Sequence, residues 1–228
     1  MRSLQVRRLG QVSYGEALSL QNQLADDRRA GRIGDVLLLL EHPPVITIGV
    51  RSPATTPHIL APPEALAACG IEVFEAGRGG DVTYHGPGQV VGYPILDLKP
   101  DRCDVHRYVR DLEEVMICTA DDFGVRASRI PGLTGAWVEG EKLAAIGVRI
   151  SRWITSHGFA FNVATNLDHF NFIVPCGIRD RGVTSLARLL GQPPDMADVQ
   201  DALSRHFCRV FDLSLASLGT PAAAAITE

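Results

Sequence analysis

The sequence has no Cys-x-x-Cys pair, no long apolar run, no excess of positive charge and no phosphate-loop signature. Each absence removes a class of function. The five cysteines, Cys69, Cys103, Cys118, Cys176 and Cys208, are odd in number and widely spaced. That pattern argues against a zinc knuckle or a dithiol redox centre, so no metal site is expected. Free thiols suit a reducing compartment. Apolar runs such as Val36–Leu40 are strand-sized, well short of the roughly 20 residues that span a bilayer. The first eighteen residues carry charges throughout and hold no signal-peptide core. A cytoplasmic protein that does not span a membrane is the expectation. The net charge of −4 leaves no global positive field for nucleic acid. Neither a Walker loop nor a Gly-x-Gly-x-x-Gly turn between strand and helix is present.

What is present reads as one α/β domain over residues 1–213, with a weakly patterned and disordered tail at 214–228. Ser13 and Glu16 fit a capping box opening a helix that Gly31 closes. Val36–Leu40 predicts a strand buried on both faces, and Val45–Ile48 another. Pro63–Ala68 predicts a short helix and Ile71–Phe74 a strand. Gly77–Gly88 is a glycine-dense loop around a short polar strand, followed by a strand over Gln89–Leu98. Asp104 caps a helix ending at Gly124. Thr134–Val138, Lys142–Ile150 and Ile154–Val163 predict a meander, with a hairpin at Glu139-Gly140. Asp195 caps a last helix. Strands in clusters with helices between them predict an α+β fold, a mixed or largely antiparallel β-sheet flanked by helices. The regular alternation of a doubly wound parallel fold is missing.

Three segments can carry chemistry. In Arg78-Gly79-Gly80-Asp81-Val82-Thr83-Tyr84-His85-Gly86-Pro87-Gly88-Gln89, glycines let backbone approach a ligand closely; a set of tight turns is the plain alternative. Lys142 opens a strand of small and apolar residues. It is either a surface lysine or a lysine held at a pocket wall, where surroundings tune it. In Pro175-Cys176-Gly177, proline and glycine frame a turn that presents sulfur; a small apolar residue is the alternative. Cys118 and Cys208 fit helix interiors and the core. Cys69 ends a helix and Cys103 precedes a cap. In Thr155–Asn162, Phe159 and Phe161 share one strand face. Gly158 and Ala160 share the other, leaving room for an apolar chain.

In order, these segments resemble the octanoyltransferase family of lipoate biosynthesis. The resemblance rests on Arg-Gly-Gly-x-x-Thr-x-His-Gly-Pro-Gly-Gln at 78–89 and Lys-x-x-Ala-Ile-Gly-Val-Arg at 142–149. His-Gly-Phe-Ala-x-Asn at 157–162 and Pro-Cys-Gly-Ile at 175–178 complete it. It extends loosely from Leu9 to Leu213. It implies the fold of biotin and lipoate protein ligases. It implies transfer of an octanoyl or lipoyl group from acyl carrier protein to a lysine of a lipoyl domain. The acceptors implied are the lipoyl domains of 2-oxoacid dehydrogenases and the glycine cleavage H protein. By the same resemblance Cys176 is the acyl-thioester nucleophile and Lys142 its activator. Arg78, Gly79, Gly80, Asp81, Val82, Thr83, Tyr84 and His85 bind substrate, as do Ala145, Ile146 and Gly147 and also Gly158, Phe159 and Ala160. His157 has a supporting role. Exchange of one thioester for another keeps the acyl group activated, so no cofactor is expected. An ATP-dependent ligase on the same fold and a non-catalytic acyl-binding protein are the competing readings.

Overall fold

Val36–Leu40 forms a strand buried on both faces, as a continuous apolar run predicts. Leu37 and Leu39 enter one core, whereas Val36, Leu38 and Leu40 enter another. The computed structural model describes residues 2–52, 58–174 and 181–216. In chain order the elements begin with β1 (Arg2–Gln11), α1 (Tyr14–Arg29), β2 (Asp35–Glu41), β3 (Val45–Ile48), α2 (Pro63–Ala68), β4 (Glu72–Glu75), β5 (Val82–His85) and β6 (Gln89–Ile95). They continue with α3 (Val105–Asp122), β7 (Ser128–Ile130), β8 (Leu133–Val138), β9 (Glu141–Ser151), β10 (Ile154–Asn162), a 3-10 turn (Leu167–Phe172), α4 (Leu186–Leu190), α5 (Met196–Phe211) and β11 (Leu213–Leu215).

Eight strands make the main sheet, in the order β11-β1-β2-β6-β10-β9-β8-β7. The pairs β11/β1 and β1/β2 are parallel and the other pairs antiparallel. A small second sheet has the order β4-β3-β5. One face of the main sheet is sealed by α3 and α5 over a core that includes Leu112, Met116, Phe161, Leu203 and Phe207. The other face carries α1 over Leu38, Val91 and Tyr93. The α+β reading and the mixed sheet flanked by helices are what the chain adopts.

Local chemistry sets most boundaries. The Glu16 amide donates to Ser13 Oγ at 3.4 Å, and that hydroxyl donates to Glu16 Oε2 at 2.6 Å. The Asp104 carboxylate accepts from Arg107 N, and Asp195 from Ala197 N. Glu139 and Gly140 both have positive φ, 50° and 87°, the backbone that a type I′ hairpin requires. The next hairpin repeats this with Arg152 and Trp153, at 54° and 69°, without glycine or asparagine to announce it.

Several expectations needed correction. β1 was not foreseen, because it is rich in arginine and only Leu4 is fully buried along it; it is held by pairing to β2 and β11. The body does not stop at residue 213. β11 runs through Leu215 and Ala216 N donates to Leu4 O at 2.9 Å, while 217–228 lie outside the described residues. β7, α4 and the 3-10 turn were also unforeseen, being too short for a periodic pattern. Cys208 is buried as expected, but Cys118 is half-buried on the flank of α3, where its thiol meets Glu114.

Candidate active site

The register of β9 against β10 assembles the site. Gly147 stands opposite Gly158, and Ala145 opposite Ala160. Residues two apart share a strand face, so the four small residues form one lane across both strands. Gly158 is also needed for packing. A Cβ there would lie 2.1 Å from the Gly92 carbonyl oxygen on β6.

The glycine-rich segment covers this lane. Gly79 N–H donates to Val148 O on β9 at 2.9 Å. Arg78 is buried, with Nη2 donating to the Thr47 carbonyl at 2.6 Å and Nε to the Thr47 hydroxyl at 3.1 Å. β5 then alternates. Thr83 and His85 face the lane, while Val82 and Tyr84 enter the core of the small sheet with Ile46 and Phe170. Lane and cover border a partly open pocket. Its walls include Arg78, Gly80, Thr83 and His85 on one side, with Ala145–Gly147 and Gly158–Ala160 on the other. Of the sequence-derived binding residues, Gly79, Asp81, Val82 and Tyr84 do not line it. Asp81 instead pairs with His58.

Lys142 is 8% exposed, so the surface reading of this lysine fails. Its strand is interior, between β8 and β10. The segment after residue 180 runs beside it: Lys142 N donates to Gly182 O at 2.9 Å, and Thr184 N donates to Lys142 O at 3.0 Å. Lys142 Nζ lies 4.7 Å from the centre of the Trp137 ring, a cation–π distance. It lines a second, smaller cavity, which shares Thr83, Ala145 and Ala160 with the pocket. Cys176, and the Pro175-Cys176-Gly177 turn expected around it, lie outside the described residues.

Polar residues that the sequence did not single out knit the two cavities. His85 Nδ1 donates to Gln89 Oε1 at 2.8 Å, and Gln89 Nε2 to Asn162 Oδ1 at 2.9 Å. Asn162 Nδ2 then donates to Thr184 O at 3.0 Å. Gln89 and Asn162 are the last residues of the 78–89 and 157–162 motifs. Tyr14, Val91 and Tyr93 complete the pocket and carried no local signal. Burial, with help from His42, holds His85 down to about 3. Burial, then Arg78 and Arg149, holds His157 down to about 4. Both rings are therefore neutral at neutral pH. Burial raises the thiols of Cys118 and Cys208, which makes them poorer thiolates. Among the described residues no cluster of His, Cys, Asp and Glu is arranged to hold a metal ion, and no helix is long and apolar enough to cross a membrane.

This fold is shared with lipoate and biotin protein ligases. The chain superimposes on the bipartite lipoate protein ligase of Thermoplasma acidophilum, described with its E2 lipoyl domain. The TM-score is 0.70 at 17% identity, covering 95% of this chain and 86% of that one. The biotin protein ligase of Aquifex aeolicus, in complex with biotin and ATP, gives a TM-score of 0.58 at 13% identity, covering 91% and 70%. Residues 13–208 match the lipoyl protein ligase A/B catalytic domain. An octanoyltransferase of Myxococcus xanthus is 53% identical over 93% of this chain, which spans 60% of that protein's length. One of Solibacter usitatus is 51% identical over 94% of this chain and 96% of its own length. The chain belongs to the lipoyl protein ligase A/B catalytic-domain family and stands within it among the octanoyltransferases, acyltransferases of protein lipoylation.

Proposed function

We propose that this protein moves an octanoyl group from acyl carrier protein to a lipoyl-domain lysine through a thioester on Cys176, with Lys142 as proton carrier. The observation that carries the reading is the shared wall of the two cavities. Lys142 lines one, the small-residue lane lines the other, and Thr83, Ala145 and Ala160 belong to both. An acyl chain in the lane thus points its carbonyl toward Lys142.

In the first half-reaction Lys142 takes the Cys176 proton. The thiolate attacks the donor carbonyl, the carrier thiolate leaves, and Lys142 returns the proton to it. In the second, the acceptor amine attacks the new thioester and the C–S bond breaks. Lys142 accepts the amine proton and passes it to the Cys176 sulfur. No oxidant or nucleotide is consumed. Partners of this kind, the carrier protein as donor and lipoyl domains as acceptors, follow from the same reading.

The test is the intact mass after exposure to octanoyl-acyl carrier protein, followed by peptide mapping. A hydroxylamine-labile octanoyl adduct on Cys176 is expected. Its appearance instead on Cys69, Cys103, Cys118 or Cys208 would rule the assignment out. Pyrophosphate release on adding ATP and free octanoate would favour a ligase instead.

A further inference from the structure

The pocket end away from Lys142 differs from what a plain hydrocarbon tail requires. Tyr14 and His157 line it and are 2% and 3% exposed. Among the described residues neither the Tyr14 hydroxyl nor His157 Nδ1 has a hydrogen-bond partner. Buried polar atoms are ordinarily paired, because leaving them unpaired is costly. Two residues carrying such atoms line one pocket, which points to a ligand group.

The backbone holds His157 in this position. It has a φ of 55° within β10, a region that non-glycine residues seldom occupy and that concentrates at functional sites. Its amide donates to Gln21 Oε1 at 2.8 Å. Gln21 lies two turns along α1 from Tyr14, on the same helix face. The ring meets Tyr93 edge-on at 6.3 Å. One helix thus supplies both the Tyr14 hydroxyl and the brace for His157. Nothing in the acyl-transfer steps uses either group.

Position says which part of a substrate they meet. Tyr14 and His157 line the pocket but not the Lys142 cavity. On β10, His157 is three residues from Ala160, about 10 Å along the strand. With the carbonyl near Lys142, the far carbons of the chain arrive at Tyr14 and His157. This step rests on the placement of the acyl chain proposed above. Burial raises the Tyr14 hydroxyl and lowers the His157 ring, so both offer neutral hydrogen bonds.

We propose that Tyr14 and His157 form a specificity subsite for a neutral hydrogen-bonding group, such as a hydroxyl, carried on the distal carbons of the acyl chain. The test compares kcat/KM for octanoyl-pantetheine with the better of its 6-hydroxy and 8-hydroxy analogues, in the wild type, Tyr14→Phe and His157→Asn. Asparagine tolerates the positive φ, and Tyr14→Phe removes one oxygen. An apolar pocket end would disfavour a buried hydroxyl by about tenfold or more. The subsite instead keeps the wild-type ratio of hydroxylated to plain substrate above about one third. Loss of one hydrogen bond then lowers that ratio about threefold or more in Tyr14→Phe, with a fall in His157→Asn as well. A wild-type ratio below one third, or a ratio that Tyr14→Phe does not lower, overturns the subsite. Failure of the wild type to transfer plain octanoyl would instead overturn the acyl-chain placement beneath it.

Discussion

The two faces of the main sheet come from the same strands and are built to different ends. Under α3 and α5 the sheet presents Phe161, Leu37, Leu39 and Val90 to Leu112, Leu203 and Phe207, all fully buried hydrocarbon. Under α1 and the glycine-rich cover, the opposite side buries His42, His85, His157, Gln21 and Tyr14 alongside an apolar cluster that includes Ala17 and Val91. The helix face carries stability through packing. The pocket face gives up some of that apolar packing to hold buried polar groups. His42 shows how such groups are kept in place: Nδ1 donates to Val12 O, and Nε2 accepts from the Tyr93 hydroxyl, each at 2.7 Å.

The contrast can be broken most sharply at Lys142. Lys142→Ala is expected to slow both half-reactions by 10²- to 10⁴-fold, the usual range for a lost acid–base group. Lys142→Arg keeps the charge but releases no proton, so deacylation should suffer more than acylation. Rapid-quench measurement of each half-reaction separates them. Wild-type rates in Lys142→Ala would remove the dyad.

On the helix face the expected effect is on stability alone. Phe207 stacks on Phe211 at 4.3 Å between ring centres and is fully buried. Phe207→Ala should cost about 3–5 kcal/mol in denaturant unfolding, while the folded fraction keeps its transfer rate. A loss of rate in the folded fraction would mean that the two faces are coupled.

The pocket face should answer to pH. His85 and His157 titrate at about 3 and about 4 when folded, below the ordinary 6.5. Above pH 6.5 both states are neutral and the contribution is fully present. As pH falls below 6.5 the unfolded chain takes protons first, so stability is lost down to about pH 4 for His157 and about pH 3 for His85. The loss is on the order of 1–3 kcal/mol per histidine by pH 4.5. His157→Asn should flatten this slope in unfolding measured from pH 7 to 4.5; an unchanged slope would show that His157 is not held neutral.

The smallest expected effect is electrostatic. Residues 142–181 contain five basic side chains against two acidic ones. Arg149, Arg152 and Arg181 are exposed. Steering of an acidic donor predicts a several-fold fall in the second-order rate as salt rises past physiological strength, where screening acts over roughly 8 Å. A small octanoyl thioester should show no such fall. Equal salt dependence of the two donors would remove the steering and leave the chemistry of the pocket face intact.

Much of this architecture was legible residue by residue. The apolar run at Val36–Leu40, the caps at Ser13, Asp104 and Asp195 and the turn at Glu139-Gly140 each specify an element through contacts within a few residues of chain. So does the split of Phe159 and Phe161 from Gly158 and Ala160, which needs only the two-residue period of a strand. The motifs around Arg78, Lys142, His157 and Cys176 pointed to the family for the same local reason, because they are contiguous. The tertiary structure decided what lies far apart in sequence. It set the register that places Gly147 against Gly158 and the burial of Lys142 between β8 and β10. It also joined Gln89 to Asn162 across 73 residues and carried His157 to Gln21 across 136. Pairing register and packing between distant segments are cooperative properties of the whole sheet, to which no single stretch of residues is sensitive. For that reason the sequence determined which motifs the chain carries, and only the fold decided which of the described residues share a cavity.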